Sequence, residues 1–542
     1  MAHASDSPGT LVDLIRTRLA ALPESERTLV ELVAIAGEPI DTHLIRAATG
    51  ADQRDLNMLI HDRLLRARPG GRGETVVAWH DRVREAASSL DTATRIARHR
   101  VLAETGARVG GVSDFFLHTH WRGAGEPTLA IEHGLRAAQA AERAFAFDQA
   151  ASVYRAVLEL APTRTPDLVK RLADAMKNAG RGIEAGQAYL EAAGLATATP
   201  DAARRLEIAA AEQFLFAGGL DEGAAVIKKV LGRIGLKLGR SLVSVMGQLA
   251  WGSLRLKLRG LEFTPRAEAE TAPEARAVVD TLWSATIGMS LAHPLTSVAI
   301  QKRHLRKALE LGEPLRVARA LGVELAFSGL PGGKDDRVSR NLSERARAVA
   351  RMVPHPYAET FVTMGDGGTH WLRGHWVEAQ SASEAAVEVF ETECAGVSWE
   401  KDTASFVALS AIYHRGRLPE LARRVDLALA DAMSRGDRFI ETQLRTRFMP
   451  ILAYAEDRPD EVALELERAL SRWTAHGYQV VHLFAWMANV HGHLYAGRPD
   501  EAAELFARGT RPLKRSLMLM GQYYRAQFHD LAGRVARSRA AT

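Results

Sequence analysis

Cysteine is almost absent: Cys394 stands alone in 542 residues. A single thiol excludes an internal disulfide framework and fits a reducing cytosol. Long apolar runs are missing too. No stretch reaches the roughly 18 uninterrupted apolar residues that a spanning helix needs, and the first residues, "MAHASDSPGT", lack the basic–apolar–small order of a secretory signal. A cytoplasmic protein is expected. Charge of one sign is not in large excess either: 70 basic against 65 acidic residues leave +5. That is too little, at this length, to argue for nucleic acid.

The motifs of the common catalysts are also lacking. A phosphate loop needs G-x-x-x-x-G-K-[ST]; "LPGGKDDR" has neither the spacing nor the hydroxyl. No kinase Gly-rich loop, catalytic-loop His-Arg-Asp or Asp-Phe-Gly occurs. The histidine pairs of "HTH" (118–120) and "HGH" (491–493) lie two apart, so on a helix they point to different faces and chelate poorly. Cys394 has no CxxC partner and reads as a packed thiol. No enzyme activity, no cofactor and no metal site are expected.

What is present is helix, one after another. Alanine, leucine and arginine dominate, all strong helix formers. Leu11, Leu14, Ile15, Leu19 and Leu22 form an apolar stripe, and two helices are expected over 11–36. Two short helices separated by Thr49-Gly50 follow, then a hairpin at "PGGRGETVVAW", then helix at "HDRVREAASSL", with strand expected only around 64–80. Helices with a wing-like hairpin describe a winged helix. The spans read from the sequence are a disordered start at 1–10 and a winged-helix domain at 11–100. A first tetratricopeptide-like array at 101–262, a linker at 263–276, a second array at 277–535 and a tail at 536–542 follow.

The second array shows a repeat. "GHWVEA", "GRLPEL", "DRPDEV" and "GRPDEA" end at 379, 421, 462 and 502, which are 42, 41 and 40 apart. Seven residues after each end comes a small residue: Ala386, Ala428, Ala469 and Gly509. The glycine that opens each segment suits a left-handed turn between two helices, and the small residues let those helices approach closely. Asp457 replaces the glycine in the third unit. In the first array Ala150, Tyr154 and Pro162 fit a tetratricopeptide unit; Ala185 and Tyr189 recur 35 residues on, and Gly223 and Ile227 another 38. Such units bury their faces only against neighbours, so the fold expected is an all-α solenoid behind a small winged helix. Between the arrays Lys228, Lys229, Arg233, Lys237, Arg240, Arg255, Lys257 and Arg259 mix with apolar residues. A membrane-surface helix is one reading of this stretch; bases on the solvated flank of solenoid helices is the reading adopted.

"GTLVDLIRTRLAALPESERTLVELVAIAGEPI", "HDRVREAA", "AFDQAASVYRAVLEL", "CAGVSWEKDTASF" and "GDRFIETQLRTRF" together resemble one family. It is the C-terminal half of large bacterial serine/threonine protein kinases fused to a multidomain, AAA-like signal-transduction ATPase. The resemblance runs from about 9 to 534 in the same order, and the kinase and ATPase domains themselves are missing from this sequence. It implies a regulatory, protein-interaction module that binds a partner protein, such as a kinase–ATPase chain, on the solenoid and docks an ATPase domain through the winged helix. In relatives of this ATPase class a Met-His-Asp segment of the winged helix reaches the nucleotide phosphates. "WHDRVREAA" matches it in placement, so the resemblance assigns His80 and Asp81 to phosphate sensing with an ATPase domain in trans. The residues alone also allow Asp81 to cap the helix while His80 packs beside the hairpin.

Two other functional readings stand beside this one. The first is a DNA-binding regulator, against which Asp52, Asp55 and Asp62 in "DQRDLNMLIHDRLLRAR" are unfavourable beside phosphates. The second is a fragment of a split kinase–ATPase gene. Nucleic acid and membrane are not the expected partners.

Overall fold

Proline and glycine punctuate this chain where helices begin and end. Pro127, Pro166, Pro200, Pro273, Pro294, Pro314, Pro356, Pro459 and Pro499 each occupy the first position of a helix. The missing N–H costs nothing there and the fixed φ is already helical. The computed structural model describes residues 11–70, 73–196, 200–236, 238–239, 241–333, 336–394, 396–471, 473 and 478–541. The start at 1–10 lies outside them. Two compact units are present, Met1–Ala179 and Gly180–Thr542.

The first unit opens with helices α1 (Leu11–Ala20) and α2 (Glu24–Ala36), a short strand β1 (Ile40–Asp41), then α3 (Thr42–Thr49) and α4 (Gln53–His61). Strands β2 (Leu65–Gly70) and β3 (Gly73–Ala78) form the hairpin, and α5 (Asp81–Ser88) closes the set. Strand β1 corrects the expectation that strand is confined to 64–80. It pairs antiparallel with β3 through Ile40 and Val76, making a sheet of order β1-β3-β2. Two residues are too short to show an alternating pattern in sequence. Leu29, Leu32, Ile45, Leu56, Leu59, Leu65 and Val76 are fully buried between the helices and this sheet. The remainder of the unit is α6 (Thr92–Val109), α7 (Asp114–Gly123), α8 (Pro127–Arg143), α9 (Phe147–Leu160) and α10 (Pro166–Asn178). Ala150 and Tyr154 of α9 are fully buried, as a repeat unit requires.

The second unit begins with α11 (Gly182–Leu195), α12 (Pro200–Phe216), α13 (Leu220–Arg233) and α14 (Leu242–Arg259). Then come α15 (Pro273–Ala292), α16 (Pro294–Leu311), α17 (Pro314–Ser328) and α18 (Arg337–Ala350). The stretch 263–276 is packed rather than loose: it carries a 3-10 turn at Glu268–Glu270, and the Arg266 N–H donates to the Gly312 carbonyl at 2.9 Å.

Four helix pairs follow. They are α19 (Pro356–Arg373) with α20 (Trp376–Glu393), α21 (Ser398–His414) with α22 (Leu418–Ser434), α23 (Arg438–Arg447) and α24 (Met449–Ala455) with α25 (Pro459–Ser471), and α26 (Val480–Tyr495) with α27 (Pro499–Ser516). Each segment ending at 379, 421, 462 or 502 opens the second helix of its pair. The turn residues behave as the sequence suggested: Gly374, Gly416 and Gly497 have φ of 85°, 70° and 67°, and Asp457 takes the same left-handed conformation at 57°. The third pair departs in another way, because its first helix is broken at Phe448. Pro450 has no N–H to continue α23, so α24 starts afresh. Helix α28 (Gln522–Ala541) ends the chain's described part and runs through most of the stretch read as a tail. Its sequence there, "ARSRAA", contains no breaker.

Candidate functional site

His80 and Asp81 sit at the start of α5, directly after the hairpin, and both are exposed. His80 itself is the cap: its Nδ1 accepts the Arg82 N–H at 3.2 Å. Asp81 instead lies in the first turn, where its charge suits the helix dipole, and pairs with Arg84 at 3.0 Å. The local alternative, Asp81 capping with His80 packed away, is therefore corrected on both counts. The histidines of "HTH" are structural: His118 Nδ1 lies 2.7 Å from the Ala130 carbonyl and His120 Nδ1 lies 2.9 Å from His99 Nδ1. Among the described residues, no three His, Cys, Asp or Glu side chains gather as a metal set. Cys394 packs against the cluster of Tyr357, Phe361 and Phe390, and burial pushes its thiol up.

A larger feature lies in the second unit, and the sequence reading missed it. The C-terminal ends of α19, α21, α24 and α26 and one face of α28 line an open cavity of about 660 Å³. Its wall combines aromatic rings (Trp376, Tyr413, Tyr454, Tyr495, Tyr523) with Arg373, Arg534 and Arg537. Apart from Trp376 at the start of α20 and the face of α28, the helices that contribute are the first of each successive pair, which is how a repeat array turns scattered residues into one surface. Trp376 stacks on His414 with ring centroids 4.2 Å apart, and Tyr454 stacks on Tyr495 at 5.4 Å. Asp530 is paired with Arg534 at 2.8 Å, whereas no carboxylate partners Arg537 among the described residues.

Behind the aromatic wall sits Arg447, only 7% exposed. Its guanidinium donates to Tyr523 Oη at 3.0 Å, approaches His414 Nε2 at 3.4 Å, and lies over the rings of Tyr413 and Phe484 at 4.4 and 4.7 Å. Its Nε has no partner, and no carboxylate pairs with it among the described residues. A buried cation normally has a counter-ion, because desolvation is costly without one. Burial, and then Arg447, hold His414 down to about 3. His491, on the same wall, is held at about 4, chiefly by burial and then by Arg534 and Arg447. At neutral pH the site is thus cationic through arginine, with neutral imidazoles. The signal in the sequence was an arginine placed one turn from Leu444 and beside Phe448, inside a helix that otherwise buries apolar and threonine side chains.

These histidines make a pH prediction. Their pKa falls on folding, so the unfolded chain binds more protons, and stability is complete above about pH 6.5 and is lost as pH falls toward 3 to 4. Each is expected to contribute about 1 kcal/mol of loss per pH unit in that window. Urea titrations at a series of pH values read it directly, and His414→Gln is expected to shallow the slope. An unchanged slope in the variant would place His414 in a wetter site than described.

No protein-family model matches this chain, and no curated protein matches it. Similar solved structures exist. One is a signal transduction ATPase with numerous domains and a tetratricopeptide repeat sensor from Pyrococcus horikoshii: 12% identity, TM-score 0.30, covering 86% of this chain and 66% of that one. This chain thus spans just under two thirds of that protein's length. Others are the tetratricopeptide domain of P58(IPK), at 12% identity and TM-score 0.21, and yeast Tom70, at 13% and 0.26. They cover 75% and 76% of this chain respectively, and each is itself covered to 99%. At these scores the fold description stands on the helices themselves.

Proposed function

We infer that this chain is a non-catalytic interaction module of a bacterial serine/threonine kinase–ATPase signalling system, with the cavity of the second unit as its recognition site. The single observation that carries the reading is Arg447: a buried guanidinium without a carboxylate, behind an aromatic wall that adds three more arginines. Such a site favours an anionic group carried on an apolar or aromatic segment. A partner protein supplies that as an acidic side chain next to an aromatic one. The test is selection from a random peptide library on the purified chain. Acidic–aromatic peptides, lost on Arg537→Glu, support the reading; uncharged or basic peptides, or indifference to that substitution, overturn it.

The N-terminal helices and sheet, in the order helix, strand, helix, helix, hairpin, support a winged helix that docks an ATPase domain through the exposed His80–Asp81 edge. His80→Ala removes only a surface cap, so a stability cost of about 1 kcal/mol or less is expected. Its affinity for the ATPase domain of the same signalling system is expected to change in an ADP-dependent way, since a phosphate contact acts only when phosphate is present. Calorimetric titration with and without ADP checks this. Equal changes in both conditions would return His80 to a purely structural role.

One observation favours a second reading, DNA. The acids counted against it are already engaged: Asp52 and Asp55 form a capping box and Asp62 pairs with Arg18 at 3.1 Å. Arg54, Arg66 and Arg68 remain exposed. A salt-dependent shift of duplex DNA, abolished by Arg66→Glu with Arg68→Glu, would select this reading over the first.

A further inference from the structure

The bases of this stretch are solvated, as the sequence reading holds: Lys228, Lys229, Arg233, Arg255 and Lys257 are exposed, while Lys237 and Arg240 lie outside the described residues. Helix α14 carries more than those bases. Its inner side packs on α16: Val245 and Leu256 are buried, and Gly252 lies so close to Lys302 that a Cβ there would sit 2.9 Å from the lysine Cβ. Its outer side is apolar and uncovered. Val243 is 83% exposed, Trp251 57%, Leu254 47% and Leu258 78%. With Gly247 these positions follow one another at intervals of three or four residues. They therefore form one continuous stripe about 22 Å long.

The sequence that leads into and through α14 carries charge of one sign, although Lys229 and Arg233 of α13 are paired with Glu207. From Lys228 to Gly260 there are eight basic residues and no acidic one. Within α14 the run Ser241–Leu254 is uncharged, and Arg255, Lys257 and Arg259 cluster at the end, where Arg255 lies 5.2 Å from the Trp251 ring centre. Helix α16 adds Arg303, whose pKa is lowered by burial and then by the like charges of Arg306 and Arg255. No described helix is long and apolar enough to cross a membrane.

We propose that α14 lies on an anionic phospholipid surface, with Val243, Trp251, Leu254 and Leu258 entering the headgroup–acyl boundary and the flanking bases meeting lipid phosphates. An exposed tryptophan and leucines on one face, with bases beside them, is the composition of an interfacial helix. A second copy of this chain is a poor occupant, since it would bring two acid-free basic stretches together. The arrangement is independent of the cavity and of the partner it binds.

The test is co-sedimentation of the full chain with vesicles of phosphatidylcholine alone and with about one third phosphatidylglycerol, where each base near the surface adds affinity. Binding to the anionic vesicles only, weakening with salt, is expected. Trp251→Ser with Leu258→Ser, and separately Arg255→Glu with Lys257→Glu, are each expected to weaken binding about tenfold or more. Both pairs are exposed, and an unchanged thermal melt confirms that the variants fold. Three results would overturn the proposal. They are failure to bind the anionic vesicles, equal binding to both kinds, and a dimer in solution that Leu258→Ser dissociates.

Discussion

Gly509→Ala is expected to destabilise the protein by about 3 kcal/mol, far more than a single methyl group suggests. A Cβ at 509 would lie 2.1 Å from Nε1 of Trp486, the facing residue on α26. That indole donates to the Leu505 carbonyl at 3.0 Å and packs on Phe506, which in turn stacks on Phe528 of α28. Moving it breaks a hydrogen bond and disturbs three helices at once. Gly497→Ala is the informative control. Gly497 needs its left-handed φ of 67° but has nothing within 4 Å of a new Cβ, so only backbone strain of about 1 kcal/mol is expected. Urea midpoints for the two variants separate close approach from conformation. Should Gly509→Ala cost no more than Gly497→Ala, the α26–α27 crossing is looser than described.

Arg447→Met is expected to act in the opposite direction on stability and to abolish recognition. Methionine fills similar volume beside Tyr413 and Phe484 without an unpaired buried charge, and such replacements are neutral or stabilising by about 1–4 kcal/mol. The hydrogen bond to Tyr523 is lost, but Tyr523 Oη stays 3.1 Å from His414 Nε2. A net gain of about 1 kcal/mol in urea is therefore expected, together with loss of the acidic–aromatic peptides. A stable protein that no longer binds marks Arg447 as kept for recognition. A large loss of stability would instead make it a structural residue held by its two rings.

Most of the helical framework was legible because its signals are local. The turn glycines, the leading prolines and the small residues seven positions on all act within one helix pair, and even Asp457 could be placed by register. Strand β1 was not legible, since it consists of two residues, and the partner of Ile40 lies 36 positions away at Val76. The break at Pro450 falls in the first helix of its pair, whereas the spacing of the repeat is carried by the second, so the period is undisturbed by it. The cavity was hidden for a different reason. Arg373, His414, Arg447, His491 and Tyr523 come from five helices, and no spacing in the chain announces that a buried arginine will lack a carboxylate. His80 and Asp81 were singled out by resemblance, and the bond from the Arg82 N–H to His80 Nδ1, not the sequence, shows which of the two supplies the cap.

Helix α28 changes what kind of object the second unit is. A repeat array with contacts only between neighbours frays from its ends and opens in pieces. Here the first turn of α28 bonds far back along the chain: the Gln522 N–H donates to the Leu330 carbonyl at 3.0 Å, and the Gly333 N–H donates to Gln522 Oε1 at 2.7 Å across 189 residues. Arg539 in its last turn holds Asp500 at 2.9 Å. Closing a loop of that length costs about 5 kcal/mol of chain entropy, so α28 docks only once the intervening helices are in place. Once docked, it links loss of any one pair to loss of the seam. The array then folds slowly, with its last helix as the final step, and thereafter yields as a block rather than by fraying.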